Sequence, residues 1–248
     1  QVAIELFMQN FGSEWLMFVD DDAVLNPGWW DWVDKNAVLH DSKVGEVWGI
    51  NWDAYPDRKR ILESLGIDYT EYLIRKFQER GGTHDTLYRR KAIEGVVIPW
   101  ELHVYEDAWL HHWVACHGWE SEINPVGVTH YSPVRTDLKT QKKQLELAIH
   151  VAFRYGIVEY DVFRNIHTLS IIKQSLGLFR PILGTPLMSL VYVRTYGLRK
   201  GLPYTLKRQY LKLWFRWVVL RNTIKYGRVP DICAVLHSLE QGVSTQAH

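Results

Sequence analysis

Apolar and polar positions along this 248-residue chain change their rhythm near residue 138. Before that point, short apolar runs alternate with stretches of helical spacing. Val2 to Phe11 has the helical period and ends at Gly12, a residue suited to closing a helix. Trp15-Leu16-Met17-Phe18-Val19 is short and wholly apolar, as a strand covered on both faces should be. Asn26-Pro27-Gly28 predicts a turn, with Pro27 in the first turn of a helix running from Trp29 to Leu39. Val44 to Ile50 reads as the next strand. A charged helix is predicted over 58–79 and stops at Gly81-Gly82. Thr83 to Arg90 then reads as a short strand or loop. Asp107 to His117 predicts a helix closed by Gly118, with carboxylates at the end where exposed amides and the helix dipole favour them. Ile123 to Thr129 is a short strand that delivers His130. From about residue 138 the pattern is mostly helical, with no repeat and no low-complexity tract.

Strands alternating with helices predict an α/β fold, whose ligands collect at the carboxyl ends of strands. The expected division is an α/β core over 1–137 and a helical region over 138–248. Charge supports that division. The chain carries a net +1, but residues 1–150 hold 15 Lys/Arg against 24 Asp/Glu, a net of −9. Residues 151–248 hold 14 against 4, a net of +10, and no acid occurs from Asn165 to Pro230. The two halves are therefore expected to face different partners. With 12 Trp and 13 Tyr the chain is rich in side chains that sit where one end is dry and the other wet. Two cysteines are too few for a disulfide framework, so a reducing compartment is expected, and no secretory leader pattern is visible.

The acidic cluster Asp20-Asp21-Asp22 follows the apolar run directly. Adjacent carboxylates repel, and strand formation does not need them. Spaced Asp-x-Asp at a strand's carboxyl end, they make a hard-oxygen site for Mg²⁺ or Mn²⁺ carrying a diphosphate. A solvated turn is the bland alternative. The run "FVDDDAV" also satisfies the D-x-D-x-[TV] pattern of haloacid-dehalogenase-like phosphatases, but the second acidic pair that chemistry needs, of the GDxxxD type, is missing from the sequence.

A second context fits more of the chain. "EWLMFVDDDAVLNPGWWDWV" resembles the Asp-x-Asp region of family 2 glycosyltransferases, which have the GT-A fold, a three-layer α/β/α sandwich. Three further stretches match in order. "RGGTHDTLYRRKAI" resembles the loop and strand that line the donor sugar and diphosphate. "YEDAWL" resembles the Glu-Asp motif that supplies the catalytic base, and "GVTHYSP" resembles the segment carrying a late metal-binding histidine. The likeness covers about residues 1 to 135. About 14 residues precede the metal strand, where such enzymes carry much of the nucleotide-binding half, so the resemblance implies a core incomplete at its N-terminus.

The resemblance implies an inverting transferase that moves a sugar from a nucleotide donor to a hydroxyl acceptor. Asp20 would hold the ribose with Asp21 in support, and Asp22 and His130 would hold Mn²⁺ or Mg²⁺. Gly82, Thr83, His84, Asp85 and Arg89 would line the donor, although Arg89 and Arg90 could equally be a solvated pair. Asp107 would take the acceptor's proton, with Glu106 second. A non-catalytic protein that binds membrane or carbohydrate, a degenerate transferase, is the rival reading.

The basic half adds a partner. Between residues 165 and 230, basic charge, aromatics and apolar runs combine. Leu206, Tyr210, Leu213, Trp217, Leu220 and Ile224 fall on one helical stripe, away from Arg208, Lys212 and Arg216. That is the pattern of an interfacial helix. Its expected partner is an anionic bilayer at the inner face of the cell membrane, with a carbohydrate or lipid-linked acceptor. Packing against the core is the alternative, and nucleic acid is not expected, since no recognition module accompanies the charge. His103, His111, His112, Cys116 and His117 crowd one segment, and helical spacing puts His112 and Cys116 one turn apart, but the sequence offers no other matching ligand pair for zinc.

Overall fold

The structure is a computed structural model and describes residues 1–52, 56–81, 84–131, 137–158 and 169–242. It is α/β, with a mixed five-stranded sheet in a mostly helical chain. Two compact units divide it. The first holds 1–52, 70–81, 84–131 and 236–242, and the second holds 56–69, 137–158 and 169–235. Among the described residues the units part between 131 and 137, the second unit also takes a helix from the acidic half, and the first takes the last described helical turn.

In the first unit, helix α1 (Val2–Asn10) buries Ile4 and Phe7. The Arg90 guanidinium closes its end. Its nitrogens donate to the carbonyls of Phe7 (3.1 Å), Met8 (3.2 Å), Phe11 and Ser13 (2.9 Å) while the group lies over the Phe7 ring. Strand β1 (Trp15–Val19) follows. After it come β2 (Ala23–Leu25), which the sequence pattern did not announce, α2 (Trp29–Lys35), and a 3₁₀ turn at Val38–His40. Gly28, left-handed at φ 88°, stands just before α2, so Pro27 lies outside the helix rather than in its first turn. Strand β3 (Val44–Asn51), α4 (Tyr69–Arg80), β4 (Asp85–Arg89), α5 (Glu106–Cys116) and β5 (Glu120–His130) complete the core, α3 being Pro56–Ser64. The single helix expected over 58–79 is thus two, broken at Gly66, which sits at φ 71°.

Among the described residues the strand order is β1-β4-β3-β5-β2, with only the β3–β5 pair parallel. β1 and β2 are opposite edges, yet only Asp20-Asp21-Asp22 joins them. Four Cα steps reach about 15 Å, while a flat five-stranded sheet holds its edges about 19 Å apart. The sheet must curl. β5 provides the bend: its register against β3 shifts between Gly49 and Asn51, and Gly127 adopts φ 65° there. A Cβ on Gly127 would stand 2.0 Å from the Ile50 carbonyl oxygen, so the bend needs glycine.

Alternation along β3 sends its side chains to two faces. Val44 and Val47 join Trp29, Val33, Val38 and Leu87 in a core under α2. Glu46, opposite in parity to Val47 and separated from Val44 by an irregularity in β3, meets His111 of α5 on the other face.

The second unit is helical, as expected from residue 138. α6 (Leu138–Tyr155) is capped by Asp137, whose side chain accepts the Thr140 N–H, and closes at left-handed Gly156. α7 (Ile171–Gly177), α8 (Arg180–Leu183), α9 (Thr185–Tyr196) and α10 (Leu198–Tyr226) follow. Ile149, Ala152 and Phe153 of α6 pack on Phe215, Val218 and Val219 of α10. α3 joins this unit through Asp57, which accepts hydrogen bonds from the hydroxyls of Tyr196 (3.1 Å) and Tyr204 (2.9 Å). The last helix among the described residues is α11 (Ile232–Glu240). Neither Cys116 nor Cys233 is a free thiol, which corrects the expectation of reduced cysteines.

Candidate functional site

The curl of the sheet brings three chain segments to one point. Asp20 continues β1, and its N–H donates to the His84 carbonyl (3.2 Å), just before β4. Ala23 pairs with His130 across the β2–β5 ladder, and the Tyr131 N–H donates to the Asp22 carbonyl (3.0 Å). The Asp-x-Asp turn is thereby pinned at both ends by backbone bonds. Its side chains meet there: His130 Nε2 lies 3.5 Å from Asp20 Oδ2, and His130 Nδ1 lies 3.3 Å from Asp22 Oδ1. One donor atom from each of the three falls within 4.8 Å of the others. Asp20, expected at the ribose, is therefore part of the same cluster as the two expected metal ligands. Asp21 points to solvent.

Electrostatics mark the same spot. Burial raises the Asp20 carboxyl above its ordinary range. His130 pulls it down, while Asp22 and Asp21 push it up again. Crowded carboxylates of this kind are stabilised by a shared cation. Two carboxylates and one imidazole are donors of the kind that hold a hard to borderline divalent ion.

Beneath the cluster lies a supporting layer. His84 is buried, edge-on to the His130 ring at 5.7 Å. Its Nε2 is 3.1 Å from the Gly49 carbonyl and 3.2 Å from Asp85 Oδ1. Asp85 is fully buried and accepts the Trp29 indole N–H (2.9 Å) and the Gly49 N–H (3.1 Å). Burial pushes its carboxyl up to about 7, against the pull of the Trp29 and Gly49 bonds and with help from the Asp20 charge. Asp85 therefore serves the site by holding Trp29 and His84, and is not open to a donor sugar.

Arg89 is likewise spent on the fold. Its guanidinium donates to the carbonyls of Val44 (2.7 Å), Leu39 (3.2 Å) and Asp41 (2.7 Å), pairs with Glu14, and lies over the Trp15 ring. A phosphate role would require breaking that set, so Arg89 is not placed to line a donor, and it and Arg90, with its grip on α1, are not a solvated pair. Gly82 and Thr83 lie outside the described residues, as does the His103 side chain.

The Glu-Asp pair starts α5 as expected. Asp107 Oδ1 accepts the Ala108 N–H at 2.7 Å, and Glu106 keeps one buried carboxylate oxygen without a hydrogen-bond partner among the described residues. The Asp107 charge acts on two buried groups, Tyr88 and His111, neither of which was among the residues expected at the donor or acceptor site. Tyr88 is held protonated well above its usual range by burial, by Glu46 and by Asp107. His111 is drawn down by burial but raised on balance by Glu46, whose Oε2 is 2.7 Å from Nδ1. Ser121 adds a bond to the same oxygen (2.6 Å). A buried acid within a strand has no sequence signature, since its partner comes from a helix 65 residues away.

The chain matches no protein-family profile, and no curated protein matches it.

Proposed function

We propose that the chain is a metal-dependent, inverting glycosyltransferase of GT-A type, similar to family 2, working at a membrane surface. The observation that carries this reading is the meeting of Asp20, Asp22 and His130 at the carboxyl end of β1. A motif split over 110 residues of sequence has been gathered into one donor set. The curled mixed sheet with α2 and α5 on its two faces supports a GT-A-like core.

Asp22 and His130 would hold Mn²⁺ or Mg²⁺, with Asp20 completing the set or reaching the ribose. The ion would offset charge on the departing nucleoside diphosphate. The acceptor O–H gives its proton to Asp107 while its oxygen forms the bond to the anomeric carbon. The bond from that carbon to the diphosphate breaks on the opposite side, which inverts the centre. Glu106, with a buried oxygen that has no hydrogen-bond partner among the described residues, is the second candidate for the proton.

The second unit supports the membrane part of the proposal. No single helix among the described residues is long and apolar enough to cross a bilayer. Leu176, Phe179, Leu183, Leu187 and Leu190 nevertheless stand 60–79% exposed along α7 to α9, a concentration of apolar surface that marks an interaction face. A lipid-linked acceptor fits such a face.

Calorimetry of Mn²⁺ with a panel of nucleoside diphosphates tests the reading. At least one should bind in an Mn²⁺-dependent way, and Asp22→Ala and His130→Ala should each weaken the Mn²⁺ affinity. Equal affinity in the parent and both variants removes the metal assignment. Asp107→Asn should keep nucleotide binding yet lose about 10²–10⁴-fold in transfer; near-normal turnover would hand the role to Glu106. Nucleotide-sugar binding with no transfer in any acceptor screen favours the non-catalytic alternative.

A further inference from the structure

A second donor set lies away from the acidic turn. His117 caps α5, and His237 and Glu240 stand three residues apart at the end of α11, one turn above each other on the same face. One ligand atom from each lies within 4.8 Å of the other two. We propose that His117, His237 and Glu240 form a second metal site, which takes a zinc-class ion and ties the last turn of α11 to the end of α5.

The state of His117 points to a cation. Its Nδ1 is 2.7 Å from the Trp113 carbonyl, which can only accept, so Nδ1 carries the proton. Nε2 then presents its lone pair to Glu240 Oε1 at 2.9 Å. Two lone pairs at that distance repel unless a positive charge sits between them. A proton would satisfy that pair alone. A metal ion would satisfy the His237 ring as well, whose centroid is 5.9 Å from that of His117. A ring nitrogen bound to a backbone carbonyl, leaving the other nitrogen outward, is also the usual posture of a metal-binding histidine. The Trp113 indole stacks on the ring at 4.3 Å and 27°, which fixes its plane.

The backbone adds an independent attraction. His117 follows the last residue of α5, and Glu240 is the last residue of α11. Two helix carboxyl ends, each with partial negative charge, therefore converge on the site, and both favour a cation. The donors decide which cation. Two imidazoles and one carboxylate suit Zn²⁺ in a tetrahedral shell completed by water, whereas Mg²⁺ prefers oxygen. The acidic turn, with two carboxylates and one imidazole, leans the other way, so the two sites should sort metals between them.

Zn²⁺ and Co²⁺ titrations test the proposal on the Asp22→Ala/His130→Ala double variant, where the first site is removed. One equivalent of Co²⁺ should bind with the visible absorption of a tetrahedral ion, and Zn²⁺ should displace it and raise the melting temperature. His117→Ala and His237→Gln, both at the surface, should leave the metal-free melting temperature near that of the parent. Each should lower Zn²⁺ affinity by at least the roughly 10–100-fold that loss of an outer-shell partner costs. Glu240→Gln should weaken binding less. An absorption and a melting shift that survive His117→Ala and His237→Gln, or the absence of both from the double variant, overturn the site and reduce it to a His117–Glu240 ion pair. Either result leaves the assignment of the acidic turn standing or falling on its own test.

Discussion

Asp85 shows how a single buried carboxyl can be felt across the site. Nothing solvates it, so its proton is held to about pH 7 when folded and is lost near 3.8 when unfolded. A raised folded value in an acid means that stability is greatest below the unfolded value and falls as pH rises from about 4 to about 7, then levels off. The shift corresponds to roughly 4 kcal/mol at most. Denaturant unfolding at a series of pH values should show that decline, and Asp85→Asn should flatten it. Asn cannot accept from both Trp29 and Gly49, so the variant will lose some stability at every pH; the absent slope is the signature, and an unchanged slope rules Asp85 out as its source. Gly49 belongs to the same device, because a Cβ there would lie 1.7 Å from Asp85 Oδ2. At this scale the sequence marked Asp22 and His130 as partners, and the fold brings them together, while Asp20, read as a ribose contact, stands in the same cluster. Arg89 and Asp85 misled, because residue type alone cannot say whether a charged group faces a ligand or the protein's own carbonyls.

Among elements, β5 matters most to the site, since its second half carries His130 and pairs with β2. Its bend at Gly127 combines a left-handed backbone with contact against Ile50. Gly127→Ala should cost about 2–5 kcal/mol, from the left-handed penalty of about 1–2 plus overpacking of about 1–3. Mn²⁺ affinity at the acidic turn should fall with it. Gly95 provides the control: it too has positive φ (74°), but a Cβ there meets nothing within 4 Å. Gly95→Ala should therefore show the backbone cost alone and leave the metal affinity unchanged. Equal losses in both variants would mean that contact with Ile50 is not what shapes β5. The sequence pattern located β1, β3 and the core of β5 because apolar runs betray them. It passed over the three-residue β2, whose pairing comes from the turn's geometry rather than from its own side chains. It also carried the charged helix across Gly66, where only the left-handed backbone reveals a break.

At the scale of the whole molecule, the separation of an acidic α/β half from a basic helical half was legible in charge and period, yet the sense of the long helix was not. Periodicity finds a stripe but cannot tell which side of it faces inward. In α10 the stripe faces out: Leu206, Tyr210, Trp217 and Ile224 are 57, 43, 50 and 64% exposed, and only Leu220 of the set is buried. The cations lie off that stripe, Arg208 and Arg216 half-buried and Lys212 with much of its surface exposed. Arg208 packs among Tyr192, Tyr204 and Asp57, while Lys212 is pushed down by burial and by Arg208, Arg58, Arg216 and Arg180. α10 therefore buries Phe215, Val218 and Val219 against α6 and leaves the apolar stripe exposed beside them, a second apolar surface of the kind that suits an interaction face. Vesicle binding should accordingly rest on the stripe, with exposed Arg194, Arg199 and Lys200 adding a part that salt screens. Co-sedimentation with anionic vesicles should fall as salt rises but persist at high salt. Trp217→Ser and Leu206→Ser should each weaken it roughly tenfold or more, since burying one such side chain contributes about 1.5–3 kcal/mol. Arg208→Gln, by contrast, should lower the melting temperature and leave vesicle binding of the folded protein unchanged. If the apolar substitutions have no effect and charge removal abolishes binding, the stripe is not the membrane face, and attachment is electrostatic.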